Sequence, residues 1–184
     1  YSSSYQEQML KLAIQRHFET ERKNFKREIR IKTLALFFID NIESFRGNKD
    51  GNGAWLRDTF DKLLKERIEE ELTKDNSEQY ETYLKASLAD ITACRAGYFA
   101  QDNSDSDDAV AAEVDEILHN KKQLLSFTKD NGKPNTRRFL FSKWTLKEGW
   151  DNPNVFTIAK LRSSGGENSK LQEVGRGLRL PVDE

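Results

Sequence analysis

The sequence predicts an α/β fold with a mainly parallel sheet, and three observations carry that expectation. The run Thr33-Leu-Ala-Leu-Phe-Phe-Ile39 is apolar at every position after the first, as a strand covered on both faces must be. Two later apolar runs, Arg138 to Phe141 and Val155 to Leu161, also read as strands. Segments with helical spacing lie between them, and strands alternating with helices imply helical layers on a parallel sheet.

The elements follow in order. From Tyr5 to about Glu28 the sequence predicts a helix, because Leu10, Ile14, Phe18 and Phe25 share one face while Glu and Arg/Lys fill the other. The strand at 33–39 closes on Asp40 and Asn41. Gly47 to Gly53, with three glycines and no apolar side chain, is a loop by composition. Beyond it Leu56, Phe60, Leu63, Leu64, Ile68 and Leu72 keep a 3.6-residue spacing. Asp75-Asn76-Ser77 breaks the pattern, and a second helix then aligns Tyr80, Leu84, Leu88 and Ile91, giving an antiparallel helical pair. This pair either docks another subunit or braces the sheet.

After Gly97-Tyr98-Phe99, an acidic loop leads to a third helix. Asp107 and Asp108 are placed to cap it, Val110, Val114, Ile117 and Leu118 point inward, and Lys121 and Lys122 favour its C-terminal end. Asn131-Gly132-Lys133-Pro134-Asn135 marks a turn before the strand at Arg138. After the strand at 155–161 and the loop Ser163-Ser164-Gly165-Gly166, a short helix is expected from about Ser169 to Leu178, ending at Pro181.

Size and composition bound the function. A chain of 184 residues holds one ordinary domain, or one domain with an insertion. With 36% hydrophobic and 33% charged residues and three prolines, it is neither disordered nor collagenous. No apolar run approaches the roughly 20 residues of a membrane span and no signal-peptide pattern opens the chain, so a cytoplasmic protein without a membrane partner is expected. The first residue, Tyr1, is not methionine, as in a segment of a longer chain. Cys94 stands alone and is expected as a buried helix residue; His17 and His119, far apart, are expected to be structural, and no metal site is expected.

A net charge of −1 excludes bulk positive charge as the means of holding nucleic acid, but the charge is uneven. Between Lys11 and Lys32 eight Lys/Arg face three Glu, and from Gln101 to Glu116 there are seven acids and no base. Solvated faces and loops are the plain explanation of both.

Two C-terminal stretches carry specific chemistry. The first runs Leu146-Lys147-Glu148-Gly149-Trp150-Asp151-Asn152-Pro153-Asn154-Val155 into a strand; the second is Gln172-Glu173-Val174-Gly175-Arg176-Gly177-Leu178-Arg179. Arg176 and Arg179 are three apart, so on one helix turn both guanidinium forks can point the same way. Gly175 and Gly177 permit close backbone approach to a ligand. A guanidinium brought to a γ-phosphate accelerates its transfer by on the order of 10³ or more. Without context, the same residues form an ordinary basic turn.

In this order, and after a buried strand ending Leu-Phe-Phe-Ile-Asp, the two stretches resemble motifs V and VI of superfamily 2 helicases and translocases. The wording EGWDNPNV and QEVGRGLRLPV, with His17-Phe18-Glu19-Thr20-Glu21 upstream, is similar to the restriction subunit of type III restriction-modification enzymes. The likeness covers both ends of the chain and matches the middle only loosely. It implies a RecA-like three-layer domain over 1–184, the second motor domain, with motif IV near 33–41, a helical insertion about 48–129, motif V at 142–155 and motif VI at 172–179.

It further implies that Arg176 and Arg179 are arginine fingers reaching ATP across a cleft, with Gln172 at that interface and Gly175 opening the close approach. Gly149 and Asp151 match motif V, where the acid faces the nucleotide ribose; capping of backbone amides is the alternative for Asp151, and locking of the turn for Trp150 and Pro153. Ser142 and Thr145 are both candidates for a DNA-phosphate contact, because neither fits the motif V spacing well. Phe38, Asp40 and Asn41 are expected at the motif IV strand end, facing DNA. Glu173 stands where other helicases often have arginine, and no role carries onto it.

No G-x-x-x-x-G-K-[ST] loop is present, and nothing resembles its acidic metal-holding companion. The resemblance therefore implies half of a site. ATP and Mg²⁺ are held by a preceding RecA-like domain of the same polypeptide, double-stranded DNA is the substrate, and a methyltransferase (modification) subunit reads the sequence. The whole is an ATP-dependent type III site-specific deoxyribonuclease whose nuclease domain lies beyond this segment, and the segment alone is inactive. The motor of a type I restriction enzyme or another superfamily 2 helicase is the alternative, as is a non-catalytic DNA-binding RecA-like module.

Overall fold

The computed structural model describes residues 2–48, 50, 52–99, 124–143, 154–161 and 170–173, and at its centre lies the apolar run that dominates the sequence. β1 (Leu34–Ile39) is buried at all six positions because it has a strand on each side. β3 (Phe139–Lys143) pairs with it on one side, Ala35 opposite Phe139 and Phe38 opposite Ser142. β4 (Val155–Leu161) pairs on the other, with Phe38 opposite Lys160. β2 (Arg95–Tyr98) extends the sheet beyond β3. These four strands are parallel, and β5 (Lys170–Glu173) closes the far edge antiparallel to β4, giving the order β2-β3-β1-β4-β5.

Strand alternation divides the core into two faces. Ala35, Phe37, Ile39, Phe139, Phe141, Ala159 and Leu161 belong to the face that meets the helices. There α1 (Ser2–Phe25) lays down Leu10, Ala13, Ile14, Phe18 and Phe25, while α3 (Trp55–Glu71) lays down Leu56, Phe60, Leu63, Leu64 and Ile68. Phe37 stacks on Phe141 with ring centres 4.8 Å apart, and Phe60 sits edge-on against Phe37, Phe139 and Phe141. The other face holds Leu34, Leu36, Phe38, Leu140 and Val155, with Leu124 packed on them.

α2 (Glu43–Arg46) follows β1 directly, and α4 (Glu78–Ala89) packs on α3 across the expected break. Ser77 caps α4 by accepting the Tyr80 amide at 3.2 Å. Cys94 is buried at the end of a short 3₁₀ turn, Ile91–Cys94, that carries the chain from α4 into β2. No described helix is long and apolar enough to cross a membrane.

Three readings are corrected by the structure. The expected helix at 169–178 is a strand over Lys170–Glu173, because the open edge of β4 offers those residues backbone partners that a lone helical turn lacks. Strand β2 was not expected: Arg-Ala-Gly-Tyr carries neither apolar alternation nor a β-branched residue, and its pairing with β3 defines it. Glu21, assigned with the polar face of the first helix, is buried on the core side of α1, one turn from His17. The expected third helix with Asp107, Asp108, Val110, Val114, Ile117 and Leu118, the acidic stretch 101–116 and His119 lie outside the described residues.

Candidate functional site

Parallel pairing places the carboxyl ends of β2, β3, β1 and β4 along one edge of the sheet, the general position of ligand crevices in open α/β sheets. Asp40 and Asn41 leave β1 at this edge, and both are exposed. The Asn41 side chain accepts the Glu43 amide at 3.1 Å, while its carbonyl accepts the Ser44 hydroxyl at 2.6 Å. Asn41 therefore starts α2 and fixes the turn at the strand end.

Phe38 does not face solvent. It is 3% exposed, and its ring belongs to the second core face. Ser142 stands opposite Phe38 on β3, fully buried, and its Oγ finds no hydrogen-bond partner among the described residues. Lys160, on the other flank of Phe38, is a cation at this end that the sequence reading passed over; only the register of β4 on β1 brings it there. The backbone of Gln172 lies opposite Ile158 on the edge strand. Thr145, Gly149, Asp151, Gly175, Arg176 and Arg179 lie outside the described residues. The structure thus brings Phe38, Asp40, Asn41 and Ser142 to one end of the sheet, and no group of His, Cys, Asp or Glu able to hold a metal occurs among the described residues.

A second polar constellation is sealed in the core beneath the opposite, amino end of the sheet. Arg138, immediately before β3, is fully buried with its Nε 2.5 Å from Glu21 Oε2. Its Nη1 donates to the Ser87 hydroxyl at 3.0 Å and the Thr136 carbonyl at 2.8 Å, and its guanidinium lies 4.5 Å from the Tyr83 ring centre. Tyr80 donates its hydroxyl to Glu21 Oε1 at 2.9 Å, and His17 Nε2 meets Oε2 at 2.9 Å. Three segments, α1, α4 and the stretch entering β3, are pinned together by one carboxylate.

Electrostatics follow from burial and pairing. Burial would raise the Glu21 carboxyl, but Arg138 and His17 beside it overrule that and hold it at about 2. Burial lowers His17; because its Nε2 faces the ionised Glu21 carboxylate it is the donor there, and Nδ1 has no partner among the described residues. Burial also pushes the Lys32 ammonium down to about 7, with Arg138 pushing the same way; its Nζ donates to the Ser126 carbonyl at 3.2 Å. Glu71, 1% exposed, is held low against its burial by Arg22, Lys74 and Arg67, and joins the end of α1 to the end of α3. With every member of the Glu21 group closed from solvent, its work is structural. Glu21 and Arg138 are far apart in sequence, and no spacing signal announces their pairing.

No protein-family model matches the chain. It is similar along its whole length to the Res subunit of the type III restriction-modification enzyme StyLTI of Salmonella typhimurium, at 51% identity over 201 aligned residues. It is 47% identical to the EcoP15I Res subunit of Escherichia coli and 48% identical to the EcoPI Res subunit of Escherichia phage P1, each over 184 residues. The chain spans only 18–20% of the length of these relatives.

Proposed function

Because the chain belongs to the Res subunits of type III restriction-modification enzymes, as a segment of about a fifth of their length, we propose that it is their second RecA-like motor domain. The observation that carries this reading is the full-length match at 47–51% identity, which includes both motif stretches. The parallel sheet, with Asp40, Asn41 and Ser142 at its carboxyl end, supports it.

In this role a preceding domain of the same polypeptide holds ATP and Mg²⁺. Arg176 and Arg179 reach the γ-phosphate as the two domains close, stabilising charge that spreads over its oxygens during transfer. Gly149 and Asp151 meet the nucleotide, with Gln172 and Gly175 at the same interface. Asp40 and Asn41 flank the DNA, and of the two hydroxyl candidates for a phosphate Thr145 is preferred, because Ser142 is closed from solvent. Contacts to phosphates grip duplex DNA without reading its sequence, which a modification subunit supplies. Hydrolysis reopens the domains and shifts the grip.

The test joins the preceding domain to this chain and compares DNA-stimulated ATP hydrolysis of the unaltered protein with Arg176→Ala and Arg179→Ala. Turnover is expected to fall by at least about a hundredfold with folding intact. Unchanged turnover in both variants removes the finger assignment.

A further inference from the structure

The excess of basic residues between Lys11 and Lys32 takes a definite position in the fold. Arg22 and Lys32 are turned to partners inside the molecule, but Lys26, Arg27 and Arg30 lie in the connection between α1 and β1. That connection enters the sheet at its amino end. β3 is parallel to β1 and next to it, so the segment entering β3 arrives at the same end and beside it. This second segment carries Lys129, Lys133 and Arg137.

The two segments are bound to each other. Lys32 Nζ donates to the Ser126 carbonyl, which also accepts from Asn135 Nδ2 at 3.0 Å. The Phe25 ring meets the Phe127 ring at 5.4 Å, and Arg30 lies 5.0 Å above Phe25. Arg137 is near enough for its charge to act on Lys32. The turn that presents Lys129 and Lys133 is rigid in form: the Lys129 amide donates to the Lys133 carbonyl at 2.8 Å, and Gly132 holds φ +81°, where a side chain is disfavoured.

Five of the six bases are exposed and Arg27 is half-buried, and none is in an ion pair among the described residues. Glu28 and Asp130 are the interspersed acids, leaving positive charge in excess. Elsewhere several bases are matched: Arg95 grips Asp61 with two contacts, at 2.7 and 2.8 Å, and Glu71 gathers Arg22, Arg67 and Lys74. A dense set of like charges on two segments repels itself, and a polyanion laid across it relieves that repulsion while releasing counterions.

We propose that Lys26, Arg27, Arg30, Lys129, Lys133 and Arg137 form a second DNA-backbone surface at the amino end of the sheet, opposite the end assigned to the motor contacts. The anionic chemistry is set by the six bases themselves; the choice of duplex DNA as its source rests on the motor reading above. Phosphate contacts at this end leave the carboxyl ends unobstructed, so DNA held there remains tethered while the motor grip is released.

The experiment measures binding of the 184-residue chain to a fluorescent 30-bp duplex of arbitrary sequence by anisotropy, over a range of salt. One variant combines Lys26→Gln, Arg27→Gln and Arg30→Gln, and a second combines Lys129→Gln, Lys133→Gln and Arg137→Gln. A charge-matched control combines Lys62→Gln, Lys65→Gln and Lys85→Gln on exposed positions of α3 and α4. Each phosphate contact removed makes the slope of log K against log salt less steep by about 0.9, so each amino-end triple is expected to lose about 2.7. The control is expected to keep the parent slope, and all three variants the parent melting temperature.

Amino-end variants that bind with the parent affinity and slope overturn the proposal and leave the motor reading standing. A control that loses as much slope as they do overturns it as well, since net charge rather than place then governs binding. Full activity of the Arg176 and Arg179 variants, by contrast, removes the finger assignment and leaves this surface untouched.

Discussion

Glu21 and Lys32 give the protein a definite response to pH. The Glu21 carboxyl sits at about 2 in the fold against 4.5 for the free group, so its contribution to stability is complete above 4.5 and is lost as pH falls toward 2. Lys32 sits at about 7 against 10.5, so the unfolded chain binds the extra proton throughout that interval. Stability therefore rises with pH from about 7 to 10.5 on its account. Replacing Lys32 by Met removes a buried ammonium whose acceptor, the Ser126 carbonyl, keeps a donor in Asn135. Lys32→Met is expected to stabilise the protein at pH 6 by about 1–4 kcal/mol and to flatten the rise above pH 7, as read by urea unfolding at several pH values. Glu21→Gln strands Arg138 in the core and is expected to cost about 3–5 kcal/mol at pH 7. A loss below 1 kcal/mol would mean that Glu21 does not organise the cluster. None of these positions stands out in the sequence: the helical pattern located α1 and its apolar stripe, but a Glu beside a stripe reads as solvated until Arg138 arrives from across the chain.

Helices and inner strands were legible because each carries its own periodic signal. Leu56, Phe60, Leu63, Leu64 and Ile68 are all buried along α3, and the run at 155–161 is β4 to the residue. Edge strands carry less. β2 holds Gly97, whose Cα lies so near Phe99 and Phe45 that an added Cβ would come within 2.6 Å of one ring and 3.0 Å of the other. Gly97→Ala is accordingly expected to displace the Phe99 ring and to cost about 1–3 kcal/mol, with the loss read by thermal unfolding. Phe60, fully buried against three aromatic rings, joins α3 to the sheet. β5 shows the reverse case, a segment whose arginine spacing suggested a helical turn and whose first residues pair instead with an unsatisfied strand edge.

At the scale of the molecule, the missing phosphate loop gives a direct expectation. Isothermal titration of the chain with ATP should detect no submicromolar site, because the sequence holds no phosphate loop and the proposed motor reading assigns the triphosphate to a preceding domain; tight binding by the chain alone would contradict the half-site reading. By itself the sequence determined the α/β class, the central strand, the family, and which residues to suspect at the carboxyl ends, because each of these is written in a local pattern or an ordered motif. Only the tertiary structure decided that Glu21 and Arg138 are partners, that Phe38 is core, and that the segment carrying Lys26, Arg27 and Arg30 meets the segment carrying Lys129, Lys133 and Arg137 at one end of the sheet. The reason is physical: a side chain's burial and charge environment are set by neighbours remote along the chain, and parallel strand pairing is what brings those neighbours to the same end of the sheet.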